Sequence, residues 1–344
     1  LIIPTQGQII IDGKALHKDI SIPESIGIII ENMEFAEQIG NRRAKKQVKL
    51  TGISKRHVVV EGQSASDMCC QAAEKLFTKL GWERDSIRVL VFVTQSEDVK
   101  TPSTAMIIQK RLGIGQDCLA FDVNLGCSGY VSGLQIVSAL LNNTGGRALL
   151  LCGDGKYYNV RKNTSTDAML FGDAGTATAI ELEPGYPLLY SQKTDGTRHK
   201  MLTMSLDGQM TMDGNGVLLF SLNEVVDSIK EMKAHFKIDE EQIDYYVFHQ
   251  AQKLVIDSMA AECEIPNEKV LISYEEFANT STATLPLTIC HNAGLMTKKK
   301  KVRVYLCGFG VGLTWSSVVL DLDTDAIMPV ELSSYCYNDL ALDE

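Results

Sequence analysis

IRVLVFVT, residues 87–94, is apolar at six of its eight positions. A strand without a polar face is covered on both sides, as in a sheet held between helices. The flanking sequence supplies such helices. SASDMCCQAAEKLFTKL (64–80) has helical periodicity and a Ser cap, and STAMIIQKRL (103–112) reads as a second helix. CLAFDVN (118–124) reads as a strand, CSGYVSGLQIVSALL (127–141) as a helix stopped by NNTGG, and ALLLCG (148–153) and TATAIELE (176–183) as strands.

The same order recurs downstream. LLFSLNEVVDSIKEMKAHF (218–236) and AQKLVIDSMAAE (251–262) are helical in pattern, and IDYYVFH (243–249) and KVLIS (269–273) are strands. NTSTATLPLTICHNAG (279–294) reads as a helix, followed by strands KVRVYLCG (301–308) and LTWSSVVLDL (313–322). Corresponding elements start 156, 152 and 153 residues apart, so the pattern predicts a duplicated α/β unit. The join is expected at EPGYP (183–187), which divides the chain into halves 1–184 and 185–344. Residues 1–63 are less periodic, and their basic stretch NRRAKKQVK (41–49) reads as a solvated face.

Composition narrows the function. The 344 residues are 45% hydrophobic and 22% charged, values of an ordinary globular protein. A net charge of −10 argues against binding nucleic acid or an anionic membrane. No apolar run approaches a membrane span, and LIIPTQGQII at the start lacks the features of a secretory leader. Nine cysteines, mostly in apolar runs and without metal-binding spacing, suggest reduced thiols and a cytoplasmic protein with no metal. No cofactor is expected.

Cys127 lies in FDVNLGCSGY (121–130), between a buried strand and a helix. The positive end of a helix dipole favours thiolate, so Cys127 is a candidate nucleophile. His249 ends a strand, where ligands bind in open α/β sheets. Asn279 begins the third helix of the second repeat, as Cys127 begins that of the first. Packing of the halves about a pseudo-twofold axis would bring these residues to one site. CGFGVGLTW (307–315) is a Gly-rich bend, able to aim backbone N–H groups at an oxyanion or to serve as a plain hairpin turn.

FDVNLGCSGY, FHQAQ (248–252), ANTSTATLPL (278–287) and GFGVGLTW (308–315), in this order and spacing, resemble the thiolase-like superfamily, and within it 3-oxoacyl-[acyl-carrier-protein] synthase III. TGISKRH (51–57), TPSTAMIIQKRLG (101–113) and LFGDAGTATAI (170–180) extend the similarity to about residue 322. The resemblance implies a five-layer αβαβα fold and a homodimer. It implies a Cys127–His249–Asn279 triad, an oxyanion hole of the Cys127 and Val311 backbone N–H groups, and substrate contacts from Gln252, Gly310, Gly312 and Thr101. It further implies an acyl-CoA or acyl-carrier-protein donor and malonyl-carrier protein, or malonyl-CoA, as acceptor, with Lys253 in a docking patch. Acyl transfer to Cys127 would precede decarboxylative Claisen condensation.

This sequence departs from the family pattern at several positions. Val311, Ala278 and Gln252 stand where the family has Gly, Gly and Asn, and no Trp/Arg clamp for adenine is found. Other expectations are a non-condensing acyltransferase of a secondary or surface-glycan pathway, or a partner subunit of a heterodimeric synthase. Hydroxymethylglutaryl-CoA synthase chemistry would need a Glu where Gln95 stands.

Overall fold

The computed structural model describes residues 10–11, 14–15, 41–155, 170–183, 188–205, 210–337 and 339. In the first half, α1 (Asn41–Thr51) and α2 (Ala65–Leu80) precede β1 (Ile87–Val93). Then come α3 (Thr104–Arg111), β2 (Leu119–Val123), α4 (Gly129–Thr144), β3 (Arg147–Asp154) and β4 (Ala174–Glu181). Helix α2 starts where the sequence marks it, because Ser64 and Asp67 form a reciprocal capping box. Lys45, Lys46 and Lys49 of α1 are exposed, as expected of a solvated face.

The second half opens with β5 (Leu189–Thr194) and the short hairpin β6 (Leu202–Met204) and β7 (Met210–Met212). Helix α5 (Gly214–Phe220) continues through a π turn at Ser221–Val225 into α6 (Val226–Phe236). Strand β8 (Tyr245–Phe248), α7 (Lys253–Glu262), β9 (Val270–Leu271) and α8 (Thr284–His291) follow. Strands β10 (Lys301–Gly310) and β11 (Thr314–Asp323) form an antiparallel pair whose turn contains Val311.

The duplication is visible in the sheets. The first has the order β2-β1-β3-β4 and the second β9-β8-β10-β11-β5. In both, the first three strands are parallel and the fourth is antiparallel. Alternation along the strands assigns the layers. Val89, Val91 and Val93 face a central layer with Val131 and Leu134 of α4 and Leu285 and Ile289 of α8. Val247, Val304 and Leu306 of the second sheet enter the same layer. Leu90 and Phe92 face α2 and α3, while Tyr246, Phe248 and Phe309 face α6 and α7. The order is therefore αβαβα. The expected join at 183–187 lies almost wholly outside the described residues; the chain leaves the first sheet at Glu181 and enters the second at Leu189.

One boundary is corrected. Asn279 does not begin a helix. It pairs as an isolated parallel bridge with Phe171, a 3₁₀ turn spans Ser281–Ala283, and α8 starts only at Thr284. The Asn279 side chain accepts from Ser281 N at 2.9 Å, a local turn that competes with helix, and Ser281 itself stands at φ 52°.

Candidate active site

The C-terminal ends of β1, β8 and β10 converge on a cavity of about 340 Å³. Cys127, His249 and Asn279 all line it, as do Gln252, Gly310 and Val311. Gly312 and Thr101 are not among its lining residues; Thr101 is exposed ahead of α3. Lys253 is exposed beside Gln252 and pairs with Asp257 one helical turn on, at 2.9 Å.

Cys127 sits one residue before Ser128, the N-cap of α4. Strand β10 passes so close to this turn that its glycines are required. A Cβ on Gly308 would lie 2.7 Å from the Cys127 carbonyl oxygen, and one on Gly310 would lie 3.1 Å from Cys127 Sγ. Gly310 and Gly312 take the positive φ values, 155° and 137°, so Val311 avoids them and its replacement of Gly is tolerated. The Gly-rich bend is thus both a hairpin turn and a wall of the site.

The other thiols differ from Cys127 in setting. Burial pushes Cys118, Cys263 and Cys290 up to about 11, and Cys70 and Cys307 up to about 12. It drives Cys69 and Cys152 well above the usual range and also raises Cys336.

His249 continues β8, donating its N–H to the Cys307 carbonyl at 2.8 Å. Its ring packs edge-on to Phe309 at 5.4 Å. Nδ1 is buried without a hydrogen-bond partner, and desolvation lowers the imidazole from 6.5 to about 3. The ring is therefore neutral at physiological pH. Gln250 locks the following turn: its Nε2 donates to the Phe248 carbonyl at 2.7 Å and its Oε1 accepts from Ser273 N at 2.8 Å.

Asn279 is held from the opposite side. Its N–H donates to the Leu170 carbonyl at 2.9 Å, and its carbonyl accepts from Gly172 N at 3.0 Å. With Oδ1 occupied by Ser281 N, the side-chain NH₂ is left as a donor. The preceding Ala278 stands at φ 57° and ψ −155°, a conformation suited to Gly. We expect Ala278→Gly to stabilise the protein by about 1 kcal/mol. A urea midpoint that does not rise would show that this backbone carries no strain.

Sequence reasoning missed one wall. Leu202 pairs with Met212 and Met204 with Met210, which puts these four side chains on one face of the β6–β7 hairpin, and all four line the cavity. The signal was available: LTM and MTM alternate about Asp207-Gly208, a hairpin dipeptide. Leu170, Phe171, Val217 and Leu218 extend the apolar lining. Gln95 also lines it, and among the described residues none of the lining is Asp, Glu, Lys or Arg. Cys127 and His249 are thus the cavity's titratable side chains among the described residues. Among the described residues, no helix is long and apolar enough to cross a membrane.

Comparison with known proteins agrees with this geometry. The profile of 3-oxoacyl-[acyl-carrier-protein] synthase III matches residues 121–196, and the profile of its C-terminal part matches residues 234–322. The beta-ketoacyl-[acyl-carrier-protein] synthase III of Acholeplasma laidlawii is 32% identical over 278 residues, covering 79% of this chain and 87% of that protein. A putative 3-oxoacyl-[acyl-carrier-protein] synthase 3 of Campylobacter jejuni is 27% identical over 327 residues, covering 88% and 92%. The crystal structure of a 3-oxoacyl-(acyl-carrier protein) synthase from Burkholderia xenovorans superposes with a TM-score of 0.83 at 30% identity, covering 88% of this chain and 93% of that one. The fold is thiolase-like, and the chain belongs to the 3-oxoacyl-[acyl-carrier-protein] synthase III family.

Proposed function

We propose that this protein is a condensing acyltransferase that joins an acyl group to a malonyl unit carried as a thioester. The observation that carries the reading is the cavity itself: the Cys127 thiol, His249 and Asn279 share a lining in which none of the described residues is charged. Thiolate at Cys127 attacks the acyl thioester, and backbone N–H groups of Cys127 and Val311 receive the oxyanion. The carrier thiol leaves with a proton. The malonyl thioester then enters, its carboxylate C–C bond breaks, and CO₂ departs. The electron pair moves to the thioester oxygen, where His249 and Asn279 donate to the enolate. That carbanion attacks the acyl group, and Cys127 leaves as thiolate. In this reading residues 1–184 supply the nucleophile and residues 185–344 the two donors. Gln252 and Gly310 border the substrate, and the apolar wall covers its chain.

Decarboxylation of this kind needs donors, not a base. A Glu acid/base is the requirement of hydroxymethylglutaryl-CoA synthase chemistry, and the residue that follows β1 into the cavity is Gln95. Purified protein given acyl-CoA and malonyl-carrier protein should release CO₂ and form the 3-oxoacyl thioester. Acyl transfer without CO₂ would instead favour a non-condensing acyltransferase. Lys253→Glu and added salt should weaken carrier-protein use modestly, since exposed charges are screened; no effect of either would remove Lys253 from the docking patch.

Because His249 is neutral well below pH 5, decarboxylation should be flat with pH from 5.5 to 8 as far as this group is concerned. An inflection near 6.5 that disappears in His249→Asn would contradict the neutral-donor role.

A homodimer fits the edge strand β2, whose Leu119 is 48% exposed and whose Phe121 and Val123 are only half-buried. Sedimentation should give twice the chain mass at micromolar concentration. A monomer would count against this assembly.

A further inference from the structure

Asp154, the last residue of β3, is fully buried but does not line the cavity. Its Oδ1 accepts from Gln95 N at 2.8 Å and from the Thr94 and Ser96 hydroxyls at 3.3 and 3.4 Å. Its Oδ2 accepts from Thr282 N at 3.4 Å. Ser96 Oγ in turn accepts from Gly155 N at 3.0 Å. Burying a carboxylate is costly unless hydrogen bonds replace its water. Here the donors come from two lips of one cavity. Gln95 leads to the Cys127 turn, since a Cβ on Gly126 would meet its Oε1 at 3.0 Å. Thr282 belongs to the loop that carries Asn279 and Ser281, and its Cγ2 lies 3.6 Å from a Cβ built on Gly129. The first lip belongs to the first repeat and the second to the second.

We propose that Asp154 is a positioning residue whose carboxylate ties the end of β1 to the Asn279 loop and so sets the spacing between Cys127 and Asn279. The assignment rests on the condensing reading above. Of these two lips acylation of Cys127 needs the first, together with the Val311 N–H of the β10–β11 turn, whereas CO₂ release and condensation need both. Asn at position 154 keeps the shape but turns one acceptor into a donor, which then faces an N–H group.

The test measures both half-reactions in wild type, Asp154→Asn, Asn279→Ala and the double variant. Asp154→Asn should acylate Cys127 within about threefold of wild type and release CO₂ about 30-fold more slowly, as small misplacements of a catalytic group do. In the Asn279→Ala background the same change should cost less than about threefold, because the group it positions is gone. Equal losses in both half-reactions, or the full cost in the Asn279→Ala background, would overturn the positioning role alone. A wild type that acylates Cys127 but never releases CO₂ would overturn the condensing reading and this assignment with it. Should Asp154→Asn fail to fold, Ser96→Ala carries the test: it removes one Oδ1 donor and should slow CO₂ release by about threefold with acylation unchanged. Unaltered CO₂ release in folded Ser96→Ala would contradict the proposal.

Discussion

Cys127→Ala forms no acyl-enzyme and lowers condensation by roughly 10⁴-fold or more. The expectation follows from placement. Cys127 lies on the cavity at the entry to α4, while burial raises the other eight thiols and keeps them protonated. No second thiol lines the cavity to take over. The variant retains His249 and Asn279, so it should still release CO₂ from a malonyl thioester without forming a carbon–carbon bond. Limited iodoacetamide should label Cys127 first in the wild type. Retention of acylation in Cys127→Ala, or faster labelling of Cys307, would move the nucleophile elsewhere.

His249→Ala and Asn279→Ala each slow CO₂ release by about 10²–10³, the usual cost of losing an oxyanion-type donor. Acylation of Cys127 should fall by no more than about tenfold in either variant. The partition rests on chemistry at the site. A neutral imidazole is poorly suited to taking and holding a proton from Cys127, because desolvation disfavours its charged form. It is well suited to donate to an enolate. Equal losses in both half-reactions would mean that His249 activates Cys127 as a base. Rapid-quench acylation and CO₂ release on the same preparations separate the two cases.

Much of this was legible because periodicity is a local signal. The apolar run at β1 and its counterparts gave the two sheets, and the near-constant offset of the repeats gave their equivalence. Cys127 and His249 stood out by their positions at element ends, Asn279 was singled out by a helix start that the structure moves to Thr284, and the resemblance joined the three residues that the cavity brings together. The misjudged start of α8 had a physical cause: ANTSTATLPL has no Gly or Pro before Pro286, and the local Asn279–Ser281 turn prevails over helix where residues 279 and 170–172 also pair. Tertiary ties of this kind leave no local pattern. Asp154 gave no signal for the same reason, since its donors are 128 residues away at Thr282 and 59 away at Gln95. The hairpin wall was different: its alternation was in the sequence, in strands of only three residues each.

The central claim is that a single covalent acyl-Cys intermediate precedes carbon–carbon bond formation. Intact-protein mass spectrometry after brief exposure to an acyl-CoA or acyl-carrier protein tests it most directly, followed by a chase with malonyl-carrier protein. The account predicts one acyl adduct, mapped to Cys127, that disappears on the chase as CO₂ and a 3-oxoacyl thioester appear in equal amounts. An adduct on another residue, or one that malonyl-carrier protein leaves in place, would contradict it.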